Sequence, residues 1–267
     1  MPKIIANGIH IYYESSGTGK PLVLVAGIGY SSWVWHRIVP GLAEHFQVIT
    51  FDNRGVGKTD KPEGPYSAQM MAEDTAGLLK ALGIEQASIL GHSMGGFIAQ
   101  AFALNHAELL DRLILASTDF GGPNRIPVTQ EAWQVLTDTS LDPDERTRRG
   151  LAVSCAPATI EKQPEVLEEL VDYRNQNPIE PAHYQAQLAV GLGLIAEEAS
   201  FEKKLKNIQA PTLILFGDSD RVEPPGNAEL LAGQIPNSQV VILPDAGHFF
   251  MLEKPQSAIA AIVEFLQ

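Results

Sequence analysis

Short apolar runs recur along the chain at residues 22–26, 47–51, 87–90, 112–116, 212–216 and 239–243, separated by longer stretches of mixed polarity. Runs of this length that are apolar on both faces predict strands of a parallel sheet covered by helices on either side. Ahead of them, residues 3–6 and 9–14 flank Asn7-Gly8. That dipeptide predicts a hairpin, because a type I′ turn needs positive φ at both central positions. Helical spacing appears between the runs. Residues 67–82 place Met70, Ala72, Leu78, Leu79 and Leu82 near one face, with Gly83 beyond the end as a C-cap. Residues 94–104 are small and apolar, suited to a helix lying on a sheet, and Pro255 opens a last helix that runs to Leu266. Alternating strands and helices predict an α/β fold with a mainly parallel sheet.

One segment breaks the alternation. Residues 121–206 contain no convincing strand but several amphipathic stretches, among them 129–139 and 161–175, punctuated by Pro143, Pro157, Pro164, Pro178 and Pro181. The expected organisation is a core of residues 1–120 and 207–267 with residues 121–206 inserted as a helical lid.

Composition narrows the partners. Asp plus Glu number 32 against 19 Lys plus Arg, a net charge of −13. A chain this acidic repels phosphate backbones and anionic membrane surfaces, so neither nucleic acid nor membrane is an expected partner. The lone Cys155 excludes an internal disulfide and any cysteine-cluster metal site, and reads as a small buried hydrophobe of the lid. There is no apolar run long enough to span a bilayer and no signal-peptide pattern at the N-terminus, which leads to the expectation of a soluble, cytoplasmic protein. No phosphate-cradling glycine loop is present, so no nucleotide cofactor is expected, and no metal. Oligomeric state is left open by the sequence.

Chemistry concentrates in three loops, each following an apolar run. Gly91-His92-Ser93-Met94-Gly95 lies between a predicted strand and a predicted helix. That is the setting of a nucleophile elbow, in which a sharp turn lifts the serine hydroxyl above the sheet and flanking side chains must be absent. Ser93 is therefore the candidate nucleophile, and it needs a base. His248, in the loop between the last run and the final helix, is the candidate, whereas His92, beside the nucleophile, is expected to pack elsewhere. The base in turn needs a carboxylate to hold one tautomer. Asp220, in Gly217-Asp218-Ser219-Asp220, is preferred; Asp119, after the fourth apolar run, competes, and Asp218 is read as a turn cap.

These features together resemble the α/β-hydrolase superfamily over essentially the whole chain. The matching stretches are residues 22–27, 51–57 (Phe-Asp-Asn-Arg-Gly-Val-Gly), 91–96 (Gly-His-Ser-Met-Gly-Gly), 217–220 and Gly247-His248. The resemblance is greatest to small lid-bearing carboxylesterases and enol-lactone hydrolases. It implies the α/β-hydrolase fold and the chain order Ser93, Asp220, His248 for the catalytic residues. It also implies an oxyanion hole made by the backbone N–H groups of Ile28 and Met94. The family's His-Gly after the first central strand is Ala26-Gly27 here, which leaves open what braces that loop. Arg54 is expected to brace its own loop through ion pairs.

The nucleophile type argues against the aspartate-dependent haloalkane dehalogenases and epoxide hydrolases. Phe97 replaces the arginine of lyase-like members, and Phe249 replaces the tryptophan of carbon–carbon bond hydrolases. The expected function is hydrolysis of a small carboxylic ester or lactone through an acyl-enzyme. The alternatives are a carbon–carbon hydrolase, perhydrolase or acyltransferase of the same fold, or a slow-turnover ligand-sensing receptor. Trp33, Phe120, Val222 and Phe249 are the expected apolar walls of the substrate pocket.

Overall fold

The structure is a computed structural model in which residues 2–138 and 140–267 are described. Eight strands form one sheet in the order β1-β2-β4-β3-β5-β6-β7-β8. They are β1 (Lys3–Ala6), β2 (Ile9–Ser16), β3 (Pro21–Val25), β4 (Gln47–Phe51), β5 (Ala87–His92), β6 (Leu110–Ala116), β7 (Thr212–Gly217) and β8 (Ser238–Leu243). β1 pairs antiparallel with β2, and β2 antiparallel with β4, while every other pairing is parallel. The hairpin turn takes the expected form, with φ of 47° at Asn7 and 78° at Gly8.

Successive strand residues point to opposite faces, and the two faces bury different partners. Val23, Val25, Ile89, Leu113, Leu115, Ile214 and Phe216 pack on one side. There they meet α2 (Ala68–Ala81), α3 (Met94–Asn105) and α9 (Gly226–Gln234). Leu22, Leu24, Leu90, Ile114, Leu213 and Leu215 pack on the other, against α1 (Val39–Leu42) and α11 (Pro255–Leu266). The short α10 (Phe250–Glu253) precedes α11. Helix α2 starts as its sequence suggests: the Ser67 hydroxyl accepts from Met70 N–H at 3.1 Å, a cap worth about 1 kcal/mol. It ends at Gly83, whose φ of +70° allows Ile84 N–H to reach back to the Leu79 carbonyl at 2.9 Å.

Between β6 and β7 the described residues form helices and no strand. The helices are α4 (Gln130–Thr137), α5 (Pro143–Ser154), α6 (Pro157–Lys162), α7 (Pro164–Gln176) and α8 (Pro181–Leu192). Four of the five begin at a proline, which has no N–H to leave unpaired in a first turn. The stretch 161–175, expected as one helical unit, is divided between α6 and α7. Pro164 cannot donate the bond that would continue α6, and so it starts α7. The stretch 129–139 is α4, capped by Thr129; Thr139 lies outside the described residues.

The topology locates a crevice. From β3 the chain moves outward to β4, and from β5 it moves the other way to β6, β7 and β8. Loops leaving the carboxyl ends of β3 and β5 therefore part from each other, and an open α/β sheet binds its ligand at that switch point. Val25 and Gly91 are paired there. Among the described residues no helix is long and apolar enough to cross a membrane.

Candidate active site

Ser93 sits at the switch point, between β5 and α3, with φ 56° and ψ −122°. A non-glycine residue in this region is strained, at a cost of order 1–3 kcal/mol, and surrounding packing has to hold it there. Here the holding is explicit. Ser93 N–H donates to the Ala116 carbonyl at 3.0 Å, and its own carbonyl accepts from Gly96 N–H at 2.8 Å and from the Thr118 hydroxyl at 2.9 Å. The turn closes only on glycines. A Cβ on Gly91 would overlap the Gly95 carbonyl, and one on Gly95 would overlap the carbonyl of Val25. The Ser93 hydroxyl itself is half-buried and makes no hydrogen bond to the described residues.

The β3 loop faces it. A Cβ placed on Gly27 would stand 3.1 Å from Ser93 Cβ. Met94 N–H, in the first turn of α3, and Ile28 N–H, in the β3 loop, have no acceptor among the described residues. Two unpaired amides beside a serine form a pair of donors for an oxygen bearing negative charge.

The imidazole comes from the opposite loop. His248, 5% exposed, has Nδ1 2.9 Å from Asp220 Oδ2. The other carboxylate oxygen of Asp220 accepts from Val222 N–H at 2.9 Å and from Glu223 N–H at 2.8 Å. His248 N–H donates to the Ser154 carbonyl at 2.7 Å, so the inserted helices hold its backbone. The side chain of His92 packs among Trp35, Phe249 and Phe250, and its Nε2 lies 2.8 Å from the His248 carbonyl. Burial, followed by the neighbouring His248, holds the His92 pKa well below the usual imidazole range. A neutral His92 therefore donates from Nε2–H to that carbonyl.

Asp119, the competing carboxylate, is engaged elsewhere. Its Oδ2 is 2.8 Å from Arg125 Nε, its Oδ1 accepts from Gly121 N–H at 2.5 Å, and it shares a hydrogen bond with Glu223. Burial raises both carboxyls, Glu223 the more strongly because Asp119 and Asp220 add their charge. Asp218, expected to cap its own turn, instead accepts from Ser219 Oγ at 2.8 Å and from Ala246 N–H, in the loop after β8, at 3.4 Å. Arg54 meets both oxygens of Asp74 at 2.5 Å.

The expected pocket walls divide. Phe120 and Phe249, each 2% exposed, are packed into opposite cores, Phe249 edge-on to Tyr30 at 5.2 Å. Val222 is half-buried in the Asp220 turn. Trp33 stacks on Tyr173 at 5.1 Å and lines a cleft of about 440 Å³ with Ser31, Asp52, Lys58 and Asn177, a cleft that Ser93 does not border.

Three residues here escaped the sequence. Glu223 and Glu253 lie outside any recognisable motif; buried Glu253 accepts from Ala156 N–H, Thr159 Oγ1 and Gly247 N–H at 2.7, 2.7 and 3.0 Å. Gln187 had a visible signal, as a lone amide in the apolar run Ala186-Gln187-Leu188-Ala189-Val190. Among the described residues no group of three or more His, Cys, Asp or Glu is arranged to hold a metal ion.

A sheet of this topology, with a strained serine at its switch point and a histidine–aspartate pair beyond the last two strands, defines a class. The chain belongs to the α/β-hydrolase family, whose model matches residues 20–255. It is 30% identical over 269 residues to the Mycobacterium tuberculosis protein named non-heme bromoperoxidase BpoC, covering 96% of this chain and 97% of that one. Among solved structures it resembles a thermophilic esterase from Thermogutta terrifontis, with TM-score 0.80, 32% identity and coverage of 99% and 97% of the two chains. It also resembles the meta-cleavage product hydrolase of Pseudomonas fluorescens IP01, with TM-score 0.82, 26% identity and coverage of 100% and 97%.

Proposed function

We propose that this protein is a serine hydrolase that cleaves a carboxylic ester or lactone through an acyl-enzyme. The observation that carries the reading is the left-handed Ser93, at the meeting of the two loops that carry the unpaired amides of Ile28 and Met94. In this reading Ser93 Oγ attacks the carbonyl carbon and His248 Nε2 takes its proton, while Asp220 steadies the imidazolium. The two amides receive the developing oxyanion. Collapse breaks the carbon–oxygen bond of the ester, and the departing alkoxide takes the proton from His248. A water molecule then gives its proton to His248 and its oxygen to the acyl carbon, and Ser93 leaves protonated.

Residues 121–206 serve as the lid. Their contacts support this, since Ser154 and Ala156 touch the His248 loop and Gln187 touches the β3 loop. Likeness to the thermophilic esterase favours an ester; likeness to the meta-cleavage product hydrolase makes a carbon–carbon bond the rival scissile bond. Both readings share the serine, so the substrate must separate them. Hydrolysis of p-nitrophenyl esters from acetate to decanoate is the test, with Ser93→Ala alongside. Turnover that vanishes in the variant supports the reading, and the best chain length sizes the acyl pocket. Turnover of a vinylogous 1,5-diketone acid with inert esters would overturn it.

A further inference from the structure

The β3 loop opens on Ala26-Gly27, with no side chain of its own to brace it, yet three consecutive peptide units of it are tied down. The Gly27 carbonyl accepts from Tyr30 N–H at 3.3 Å, which turns the Ile28 N–H of the same peptide the opposite way. The next peptide is held by Gly29 N–H, which donates to Gln187 Oε1 at 2.8 Å. The third is held at the Gly29 carbonyl by the Arg174 guanidinium. Asn53 Nδ2 fixes the loop's start by donating to the Ala26 carbonyl at 3.0 Å.

Gln187 is fully buried on α8, and its Nε2 donates to the Arg54 carbonyl at 2.8 Å. Both ends of its amide are therefore fixed, one on the β3 loop and one on the β4 loop. The β4 loop is itself anchored by the Arg54–Asp74 pair. Without this amide, Gly29 is the weak point. Its φ of +74° is open to glycine but so are many others, and rotation there swings the peptide that follows Ile28.

We infer that Gln187 is a positioning residue, which aims the Ile28 N–H at the oxyanion through Gly29, so that the inserted helices supply the brace the β3 loop lacks in its own sequence. The inference rests on the serine-hydrolase reading. The amide acts on the donor and does not touch substrate, so its loss weakens binding of the tetrahedral species and leaves ground-state binding alone.

The experiment compares wild type, Gln187→Met, Gln187→Glu and Ser93→Ala by thermal melting, by p-nitrophenyl butyrate kinetics and by labelling with an alkyl fluorophosphonate. The label needs no cognate substrate: His248 takes the Ser93 proton as a Ser93 Oγ–phosphorus bond forms, fluoride leaves, and the phosphoryl oxygen, negatively charged in the five-coordinate transition state, occupies the same hole. Gln187→Met is expected to lower kcat and the labelling rate about tenfold to a hundredfold, with KM within about twofold. Gln187→Glu keeps an acceptor for Gly29 N–H and, as the protonated acid, a donor for the Arg54 carbonyl, so it is expected to recover most of both rates at low pH and to lose them as the carboxyl ionises. A folded Gln187→Met within about threefold of wild type in both rates, or one whose loss lies in KM, would overturn the brace. Should Gln187→Met not fold, Gln187→Asn, one methylene short of its partners, is read by the same criteria. Wild type that labels no faster than Ser93→Ala would instead overturn the serine-hydrolase reading, and the brace with it.

Discussion

Replacing Asp220 by asparagine tests the hydrogen-bond logic of the site most directly. The side chain has three neighbours, all of which donate: His248 Nδ1–H at 2.9 Å, and the amides of Val222 and Glu223 at 2.9 and 2.8 Å. An asparagine has one oxygen and one NH₂ to place among them. If NH₂ faced the two backbone amides, both buried donors would lose their acceptor, at about 1–3 kcal/mol each. If NH₂ faces His248, the only demand is that Nδ1 give up its proton to Nε2. The second arrangement wins, and it leaves the imidazole in a tautomer that cannot accept the proton of Ser93. A wrong tautomer with intact geometry costs about ten-thousandfold in kcat, or about 5.5 kcal/mol of transition-state stabilisation. Asp119→Asn touches neither His248 nor its partners and is expected to stay within about tenfold of wild type. Ester hydrolysis by both purified variants, with thermal melts to confirm folding, decides the matter. An Asp220→Asn enzyme within tenfold of wild type, or an Asp119→Asn enzyme slower than it, would refute the reasoning.

Other consequences are open to measurement. Glu223 carries its proton in the folded protein well above the usual carboxyl range, so the fold is most stable relative to the unfolded chain below about pH 4.3 at this site. That contribution is lost as pH rises through the folded value, and Glu223→Gln should melt progressively higher than wild type toward alkaline pH; parallel melting curves from pH 5 to 9 would dismiss the upward shift of Glu223. Arg54→Met strands the Asp74 carboxylate in a buried site with Asn7 as its remaining side-chain partner at 2.8 Å. Breaking a buried pair from one side costs about 3–5 kcal/mol, readable in urea unfolding, and a loss below 1 kcal/mol would contradict it. Gly95→Ala puts a methyl into the Val25 carbonyl and should yield protein without labelled Ser93 even where it folds; wild-type labelling would show the elbow to be more pliant than its contacts suggest.

Local chemistry made much of this legible. The hairpin could be read from Asn7-Gly8, and the elbow from the glycines around Ser93, because each depends on neighbours only a few residues away. His248 against Asp220 could be read because both follow adjacent parallel strands and must emerge at one sheet edge. The brace could not. Gly29 and Gln187 lie 158 positions apart, and no local rule says which helix of the insertion will lie over the β3 loop. Glu253 escaped for the same reason, reaching back to Ala156 across 97 positions while it also holds Gly247. Phe120 and Phe249, expected as pocket walls from their place beside motifs, are packed into the two cores on either face of the sheet, which proximity in sequence did not show.

The contact between His92 and the His248 carbonyl bears on precision. Two strands, β6 and β7, separate β5 from β8, and any breathing of the sheet accumulates across them. A base that depended on β8 alone would carry that accumulated error to the serine. Instead the residue preceding Ser93 grips the backbone of the base directly, at 2.8 Å. Ser93 and His248 thus share one local frame of reference, joined by a contact that bypasses the two intervening strands.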